Sequence, residues 1–246
     1  MRLDLHYIDP RLVELYDIEN ARGPDTDFYV HLATDLNART IIDLGCGTGL
    51  LTRELALDGR QVIGIDPAPA MLAVARRGQG ADRVQWVEGD SGSLGRPEAD
   101  LAIMAGNVAQ VFLDDAGWDA ALRDLQAALR PGGHLAFESR NPDDRAWERW
   151  NREASYGRID SPFGPMECWL QLVSAEDGRV RFEGHNVFTA TGEVVVASSE
   201  LRFRSLDELT DSLVHSGFTV DHVYGDWDHA PFTGASRVMI FIAHRN

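Results

Sequence analysis

The chain has 246 residues, of which 44% are hydrophobic and 9% aromatic, so it can bury a sizeable core, and global disorder is excluded. Lys and Arg total 23 and Asp and Glu total 39, which gives a formal net charge of −16. A field of that sign repels phosphate backbones and anionic lipid surfaces, which disfavours nucleic acid as a partner. The length suits one large α/β domain, or one domain with a small appended piece.

The sequence carries no signal for secretion, membrane insertion or metal binding. Segment 1–10 is charged and lacks the apolar stretch of a signal peptide, and no run of about 20 apolar residues is present to span a membrane. We therefore expect a cytoplasmic protein without a membrane partner. Cys46 and Cys168 are too few for a disulfide framework or a zinc site, and the eight histidines are scattered, so no metal is expected.

Between residues 38 and 140, strand signals alternate with helix signals. The predicted strands are short apolar runs at 40–44, 61–65, 84–87, 101–104 and 135–138. The predicted helices cover 50–57, 69–77 and a segment capped by Asp114 or Asp115 that continues to Leu129. This alternation is typical of a parallel sheet with helices on both faces.

After the fifth strand the pattern changes to period-two alternation. It covers 167–174, 179–189 and 193–204, and turn sequences separate the three segments. We interpret region 141–204 as an inserted three-stranded antiparallel β-meander. Within it, Trp147 and Trp150 are three residues apart, which predicts one face of a helix, with core packing favoured over a pocket wall.

The final part of the chain returns to the α/β pattern. The capping box 205–208 opens a predicted helix, and strands follow at 218–224 and 237–243. We expect both strands to join the main sheet. The core would then consist of 38–140 and 205–246, with 141–204 inserted between them.

A glycine-rich turn joins the first strand to the first helix of this core. Glycine at 45, 47 and 49 allows a sharp turn and a close approach by a ligand. Leu50 stands where a dinucleotide fold has its third glycine, which disfavours an NAD pyrophosphate site. Asp43, at the end of the first strand, can receive an ammonium group, and Asp66, at the end of the second, can bind a ribose diol.

These motifs resemble those of the class I S-adenosylmethionine-dependent methyltransferases, of the small-molecule type with a methyltransferase domain 25 or 11. The matching segments are 43–49, 66–67, 88–91, Asn107 and 130–133, and the resemblance covers roughly 38–140. It implies a Rossmann-like, doubly wound and mainly parallel seven-stranded sheet with an antiparallel last strand. It also implies S-adenosyl-L-methionine as cofactor and S-adenosyl-L-homocysteine as product.

The same resemblance implies which residues contact the cofactor. They are Tyr16, Phe28, Asp43, Gly45, Cys46, Gly47, Thr48, Gly49, Asp66, Pro67, Met71, Asp90, Ser91, Asn107 and Gln110. The turn 45–49 would approach the methionine moiety and ribose, Asp43 would position the ammonium group, and Asp66 would bind the ribose hydroxyls. The remaining core residues would surround the adenine and the methyl group.

At the adenine, the resemblance places Pro67 and Met71 on either side of the ring. Asp90 would accept from the adenine amino group, while the backbone N–H of Ser91 would donate to a ring nitrogen. Asn107 would lie near the methionine end and the transferred methyl group.

The N-terminal region 1–37 looks like the helical lid of small-molecule methyltransferases, including enzymes that act on sugar amines. Its motifs are Leu15-Tyr16-Asp17 and Asp27-Phe28-Tyr29. In such proteins aromatic side chains close over the cofactor, and a β-insertion after the fifth strand forms the opposite wall. By this resemblance Tyr16 and Phe28 belong to the lid.

No catalytic residue is assigned, because positioning dominates transfer from an activated methyl donor, and a base is needed only for a protonated acceptor. The candidates for a base or a substrate-binding group are Glu138, Arg140, His185 and His229. Each has an alternative interpretation: Glu138 pairs with Arg140, His185 lies on a solvent face, and His229 is an ordinary loop histidine.

Three classes of function stay open at this point. The leading prediction is methyl transfer to an N, O or C atom of an unidentified small molecule. The alternatives are a non-catalytic S-adenosylmethionine-binding module and, less favoured because of Leu50, an NAD-dependent oxidoreductase. Transfer to RNA is weakened further by the charge of −16.

Overall fold

The computed structural model describes residues 3–246, and Met1 and Arg2 lie outside the described residues. The α-helices are α1 (Leu5–Ile8), α2 (Pro10–Glu19), α3 (Pro24–Asp35), α4 (Leu50–Leu55), α5 (Pro69–Ala75), α6 (Val108–Val111), α7 (Asp115–Ala128), α8 (Arg152–Ser155) and α9 (Leu206–His215). The strands are β1 (Thr40–Leu44), β2 (Gln61–Asp66), β3 (Val84–Glu88), β4 (Ala99–Met104), β5 (Leu129–Arg140), β6 (Gly157–Ser161), β7 (Gly164–Glu176), β8 (Arg179–Phe188), β9 (Glu193–Arg202), β10 (Phe218–Tyr224) and β11 (Val238–Arg245). None of the helices in residues 3–246 combines the length and apolar character that a membrane span requires.

Seven strands form the main sheet, in the order β10-β11-β5-β4-β1-β2-β3. β11 runs antiparallel to both of its neighbours, and the other pairings are parallel, so the predicted sheet with its antiparallel last strand is confirmed. Successive side chains of a strand point to opposite faces, and both faces of β1 are covered. Ile41 packs with Tyr29 of α3, whereas Ile42 packs in the cluster of Trp118 of α7.

The helix ends follow the capping chemistry expected from the sequence. Asp114 precedes α7, and its Oδ1 accepts from the backbone nitrogen of Gly117 at 2.7 Å. Before α9, the Ser205 hydroxyl accepts from the backbone of Glu208, and the Glu208 carboxylate accepts from the backbone of Ser205. This reciprocal pair confirms the predicted capping box.

The second sheet has four antiparallel strands in the order β6-β7-β8-β9, so the predicted three-stranded meander lacked one strand. β6 pairs with β7 from Gly157 opposite Cys168 to Ser161 opposite Gly164. It is an edge strand in which Ile159 is the only large apolar residue, and its positions are partly or fully exposed. Such a strand gives no period-two signal in the sequence, which explains the omission.

One face of the second sheet packs on the rest of the chain. Met166 and Phe188 are buried against Leu12 and Leu15 of α2. At the other end of this face, a 3₁₀ turn at Ala146–Arg149 replaces the predicted helix. The rings of Trp147 and Trp150 nevertheless both contact Phe203, at centroid distances of 4.8 and 6.2 Å, which supports their packing role. The second sheet thereby covers α2 and the segment after β5.

Candidate active site

The carboxyl ends of the parallel strands meet at one edge of the main sheet, which is where α/β sheets usually hold ligands. The glycine turn follows β1, Asp66 ends β2, Gly106 follows β4, and Glu138 and Arg140 end β5. α2 and α3 approach this edge from the N-terminal region. The structure therefore brings most of the predicted site residues together, although they come from distant parts of the sequence.

The glycine turn is shaped by three residues with positive φ: +77° at Gly45, +54° at Gly47 and +75° at Gly49. A Cβ atom at Gly45 would lie 2.3 Å from Cγ2 of Val108, and one at Gly49 would lie 2.3 Å from Cη2 of Trp86. Side chains at these two positions would collide with their neighbours, so glycine is required by both backbone conformation and space. At Gly47 the nearest atom would be Cε of Met71 at 3.5 Å, so this position faces more open space.

Asp66 links the glycine turn to the start of α5. Its Oδ2 accepts from the Gly47 nitrogen and its Oδ1 from the Ala68 nitrogen, each at 2.8 Å. Asp66 is 8% exposed, and this burial raises the pKa of its carboxyl group above the ordinary value. Each oxygen keeps lone pairs for a further donor, which is the property that ribose binding requires.

Asp43 is a second buried carboxyl group on the neighbouring strand. It accepts from the Thr52 hydroxyl at 2.5 Å, and burial raises its pKa to about 7, with the charges of Asp66 and Glu138 adding to the effect. In residues 3–246 neither Asp43 nor Asp66 has an arginine, lysine or histidine within ion-pair distance. Two buried acids without a cation favour a positively charged ligand, because such a ligand would relieve their desolvation cost.

α2 lies over the region between Asp66 and α5. The Tyr16 ring packs with the buried side chains of Val13, Ala68 and Met71. Burial, with the nearby charge of Asp66, raises the pKa of Tyr16 to about 12. α2 is also tied to the glycine turn, because the Thr48 hydroxyl donates to a carboxylate oxygen of Asp17, the residue after Tyr16. This placement suits the lid role that the sequence suggested for Tyr16, which stays a prediction.

Phe28 lies in a different environment from Tyr16. Its ring contacts Trp227 at 5.7 Å, His229 at 4.8 Å and Tyr224 at 6.0 Å between centroids, and the residue is 2% exposed. These partners belong to β10 and the loop after it, whereas Tyr16 packs on α5. The structure therefore does not bring Phe28 to the same place as Tyr16, because α3 packs on the sheet face and joins the core there.

The predicted adenine contacts stand after β3. Asp90 is exposed, and its Oδ1 accepts from the Gly92 nitrogen at 3.0 Å, which leaves its other oxygen without a partner in the described residues. Ser91 is 9% exposed, and its hydroxyl donates to Asp124 at 2.7 Å. Pro67 is partly exposed at the entrance to α5. Their contacts with an adenine ring stay predictions, as does any contact made by Cys46, whose thiol pKa burial raises.

On the other side of the edge, β4 and β5 carry a polar cluster. Gly106 and Asn107 both have a φ of +70°, and Oδ1 of Asn107 accepts from Nε of Arg140 at 3.0 Å. Oε1 of Gln110 accepts from the backbone nitrogen of Arg140 at 3.3 Å. Nε2 of Gln110 is buried and has no hydrogen-bond partner within residues 3–246. A buried amide donor without a partner is costly, so its presence at this edge indicates space for a ligand acceptor.

The carboxylate of Glu138 is hydrogen-bonded to its neighbours. It accepts from the Tyr29 hydroxyl and the Gly106 nitrogen, and burial raises its pKa. Within the described part of the chain, the ion pair between Glu138 and Arg140 that the sequence suggested does not form. Sequence reasoning missed Tyr29 as the partner of Glu138, although the motif 27–29 contains it.

The two histidine candidates differ in position. His185 stacks on Trp169 at 4.9 Å and lies 3.2 Å from Glu183, on the face of the second sheet that points away from α2. Its alternation with the buried Gly184 and Asn186 puts it on that face, so the structure does not bring His185 to the site. His229 is exposed in the loop after β10 and packs on Phe28, at the edge but without a polar partner in residues 3–246.

Comparisons with known proteins agree with this geometry. A family profile described as a methyltransferase domain matches residues 41–133. The chain is 24% identical to the cypemycin N-terminal methyltransferase of Streptomyces sp. over 96% of this chain and 97% of that protein. It is 36% identical to the ubiquinone biosynthesis O-methyltransferase of Methylocella silvestris over 70% of this chain and 68% of that one. Several other curated methyltransferases are matched over only about half of their length, 47%, 54% and 49% in three examples.

Solved structures show the same fold. CalS10, an amino pentose methyltransferase from Micromonospora echinaspora solved with S-adenosylmethionine bound, superposes with a TM-score of 0.72. The match covers 94% of this chain and 97% of that one at 21% identity. The present chain belongs to the methyltransferases that use S-adenosylmethionine as cofactor. The predictions of this family, fold and cofactor are confirmed.

The described residues fit this cofactor. S-adenosylmethionine carries a sulfonium and an ammonium group, and the edge offers two buried carboxyl groups, Asp43 and Asp66, with no cationic partner in residues 3–246. The turn at Gly47 borders open space, since the nearest atom to an added Cβ would be Cε of Met71 at 3.5 Å. The Gln110 amide, which has no partner within residues 3–246, provides a further donor at the same edge.

Proposed function

We propose that this methyltransferase transfers a methyl group to an N, O or C nucleophile of a small molecule. The observation that supports a small acceptor most directly is the cover over the site: α2 is tied to the glycine turn through Thr48 and Asp17. The second sheet packs on α2 in turn, through Leu12 and Leu15. The net charge of −16 disfavours nucleic acid as the acceptor. Relatives named for a peptide N-terminus, a ubiquinone precursor pathway and an amino pentose support the same range of acceptors.

Within this function, the turn 45–49 with Asp43 and Asp66 holds the methionine and ribose parts of the cofactor. Asp66 accepts from the ribose hydroxyls while it keeps its bonds to Gly47 and Ala68. Asp43 receives the ammonium group directly or through water, and the ligand's positive charge offsets the cost of keeping this buried carboxylate ionised. The whole arrangement acts by binding and orientation.

At the adenine, Pro67 and Met71 flank the ring, with Tyr16 covering Met71 from α2. Asp90 accepts from the adenine amino group, and Ser91 donates through its backbone. Asp90 can do so because one of its oxygens remains uncommitted in the described residues. Asn107 lies next to the methyl group, where its side chain is held by Arg140.

The cofactor supplies an activated methyl group on a sulfonium, a carrier that leaves without help from a protein acid. The protein then has to align the acceptor with the sulfur–methyl bond and exclude water. Glu138 serves this alignment as a positioning residue, because its oxygens hold Tyr29 and the Gly106 turn in place. A base at Glu138 would first have to break these bonds.

Three regions of the chain have different roles in this function. Residues 1–37 form the lid, 38–140 and 205–246 form the cofactor-binding core, and 141–204 form the cover on the acceptor side. The contacts of α2 with α5 on one side and with the second sheet on the other support this division.

The test is an incubation of the purified protein with methyl-labelled S-adenosylmethionine and a bacterial metabolite extract that still contains protein and RNA. We expect label in material that passes a filter with a cut-off of a few kilodaltons. Asp66→Ala serves as the negative control, because it removes the ribose acceptor. Label confined to the protein or RNA fraction, or no transfer at all in any fraction, would contradict the proposal.

A further inference from the structure

At the β4–β5 side of the edge, here called the acceptor side, one cation has no counterion within residues 3–246. Arg140 lies at the end of β5 with its guanidinium 5.8 Å from the ring centroid of Trp150, and its Nε donates to Asn107 at 3.0 Å. The ion pairs and hydrogen bonds of residues 3–246 include none from its two terminal nitrogens. Arg140 is partly buried, and this burial lowers the pKa of its guanidinium.

The neighbouring arginine shows the contrast. Arg149 stands close enough to repel Arg140, but it forms an ion pair with the carboxylate of Asp144 and donates to the carbonyl of the same residue. The charged groups that act on Arg140 are Glu138, Asp144 and Arg149. Glu138 is bound to Tyr29 and Gly106, and Asp144 to Arg149, so neither acid is left to pair with Arg140.

A second donor without a partner stands beside this cation. Gln110 is 1% exposed, and the backbone of Arg140 binds its Oε1, which fixes the amide orientation. Its Nε2 is buried and has no acceptor within residues 3–246. The cluster therefore offers the forked terminal nitrogens of a guanidinium and an amide donor, with no protein oxygen to receive them. Buried polar groups normally have partners, and the Gln110 amide donor, which has none within residues 3–246, is a group that a ligand oxygen would satisfy.

We infer that Arg140 and Gln110 bind a carboxylate of the methyl acceptor, which makes the substrate a small organic acid. This inference rests on the proposed function. A planar guanidinium matches a carboxylate through two parallel hydrogen bonds. A single unpaired cation balances one negative charge, whereas a phosphate dianion would leave one negative charge unbalanced beside Glu138. The carboxylate is the group through which the acceptor is bound, and the methylated atom lies elsewhere on the acceptor.

The position of Arg140 and Gln110 suits the binding of an acceptor carboxylate. Asn107, which Arg140 binds, immediately precedes Val108, and Val108 is the residue that packs against the glycine turn at Gly45. The carboxylate would thus be bound at the end of β5, two strands from β1 and its glycine turn, with the residues after β4 between them.

The test uses protein loaded with S-adenosylhomocysteine and a panel of acids, each matched with its neutral amide: benzoate and benzamide, phenylacetate and phenylacetamide, and glutarate and glutaramide. Binding is measured by ligand-observed NMR titration. We expect at least one acid to bind tenfold or more tightly than its amide. The preference falls below twofold in Arg140→Gln and is partly kept in Arg140→Lys. It is unchanged in the control Arg123→Gln, which alters an exposed arginine of α7.

Two further measurements separate the possible failures. S-adenosylhomocysteine affinity and thermal midpoint of each variant show whether Arg140→Gln is folded and keeps its cofactor site, and Gln110→Leu gives an independent variant with the same expected loss of acid preference. No preference for any acid in the wild type, or an equal preference in Arg140→Gln, overturns the inference. Label transfer to metabolites that is equal in wild type and Arg140→Gln overturns it as well, and leaves the proposed function standing.

Discussion

The two halves of the active-site edge differ in origin and in charge. The centre of the cofactor half comes from one stretch, 43–71, which contains the acids Asp43 and Asp66 without a cationic partner in the described residues. The acceptor half is assembled from α3, α6 and the end of β5. Its acid, Glu138, is bound to Tyr29 and Gly106, while its cation, Arg140, has no ion pair within residues 3–246. The cofactor half therefore suits a cationic cofactor, and by the inference above the acceptor half would bind an anionic acceptor.

The largest expected effect tests how rigidly the cofactor half is built. Gly49→Ala would place a Cβ 2.3 Å from Trp86 at a φ of +75°, whereas Gly59→Ala has the same φ with no atom within 4 Å. We expect Gly49→Ala to lower the free energy of unfolding by about 3 kcal/mol and Gly59→Ala by about 1 kcal/mol. Urea denaturation measures both. Equal losses would mean that space at Trp86 does not constrain the turn.

A second substitution tests the charge of the cofactor half. Asp66→Ala removes a carboxylate that would accept two ribose hydroxyls, so we expect S-adenosylmethionine affinity to fall 10- to 100-fold, or about 1–3 kcal/mol. Isothermal titration calorimetry gives the affinity. Asp114→Ala is the control, since Asp114 also accepts a backbone N–H but caps α7 outside the site. An unchanged affinity in Asp66→Ala would mean that the ribose lies elsewhere.

A third prediction concerns pH and Asp43, whose pKa of about 7 lies above the ordinary value of 3.8. A cationic ligand binds the ionised form, so affinity should rise with pH and be about tenfold higher at pH 8 than at pH 6. Asp43→Asn should abolish this dependence. In the absence of cofactor the sign reverses for stability. The contribution of the raised pKa to the folded protein is complete below the ordinary value of 3.8 and is lost as pH rises from there to about 7. A flat affinity profile in the wild type would contradict the assignment.

The smallest effect distinguishes the two aromatic residues of the N-terminal region. Tyr16 packs on Met71 beside Asp66, whereas Phe28 packs on Trp227 and its neighbours. We expect Tyr16→Ala to weaken S-adenosylmethionine binding about fivefold, the scale of about 1 kcal/mol of lost contact. Phe28→Leu should lower the thermal midpoint and leave this affinity within twofold. The reverse pattern would place the lid contact at Phe28.

The fold could be predicted from the sequence where interactions between residues close in sequence determine the structure. The strand–helix alternation of 38–140 and the capping box at Ser205 and Glu208 depend on residues a few positions apart, and both were predicted correctly. β6 was missed because it is an edge strand held by hydrogen bonds to β7, with Ile159 as its single large apolar side chain. Backbone pairing of that kind leaves no periodic pattern.

The same distinction holds for the site. The glycine turn and the two strand-end acids are recognisable because their roles depend on neighbours in sequence. The bond from Tyr29 to Glu138 joins residues 109 positions apart, and the bond from Arg140 to Asn107 joins residues 33 apart, so neither leaves a local signature. His185 shows the opposite difficulty: period-two alternation placed it on a face, but the sequence did not say which face meets α2.

The central claim is that Asp43 and Asp66 hold a cofactor over the turn at Gly47, and a crystal structure with S-adenosylhomocysteine tests it most directly. We predict the ribose hydroxyls within hydrogen-bond distance of the Asp66 carboxylate and the amino group on the side of Asp43. Electron density for the compound away from this turn, or a ribose that makes no contact with Asp66, would contradict the account.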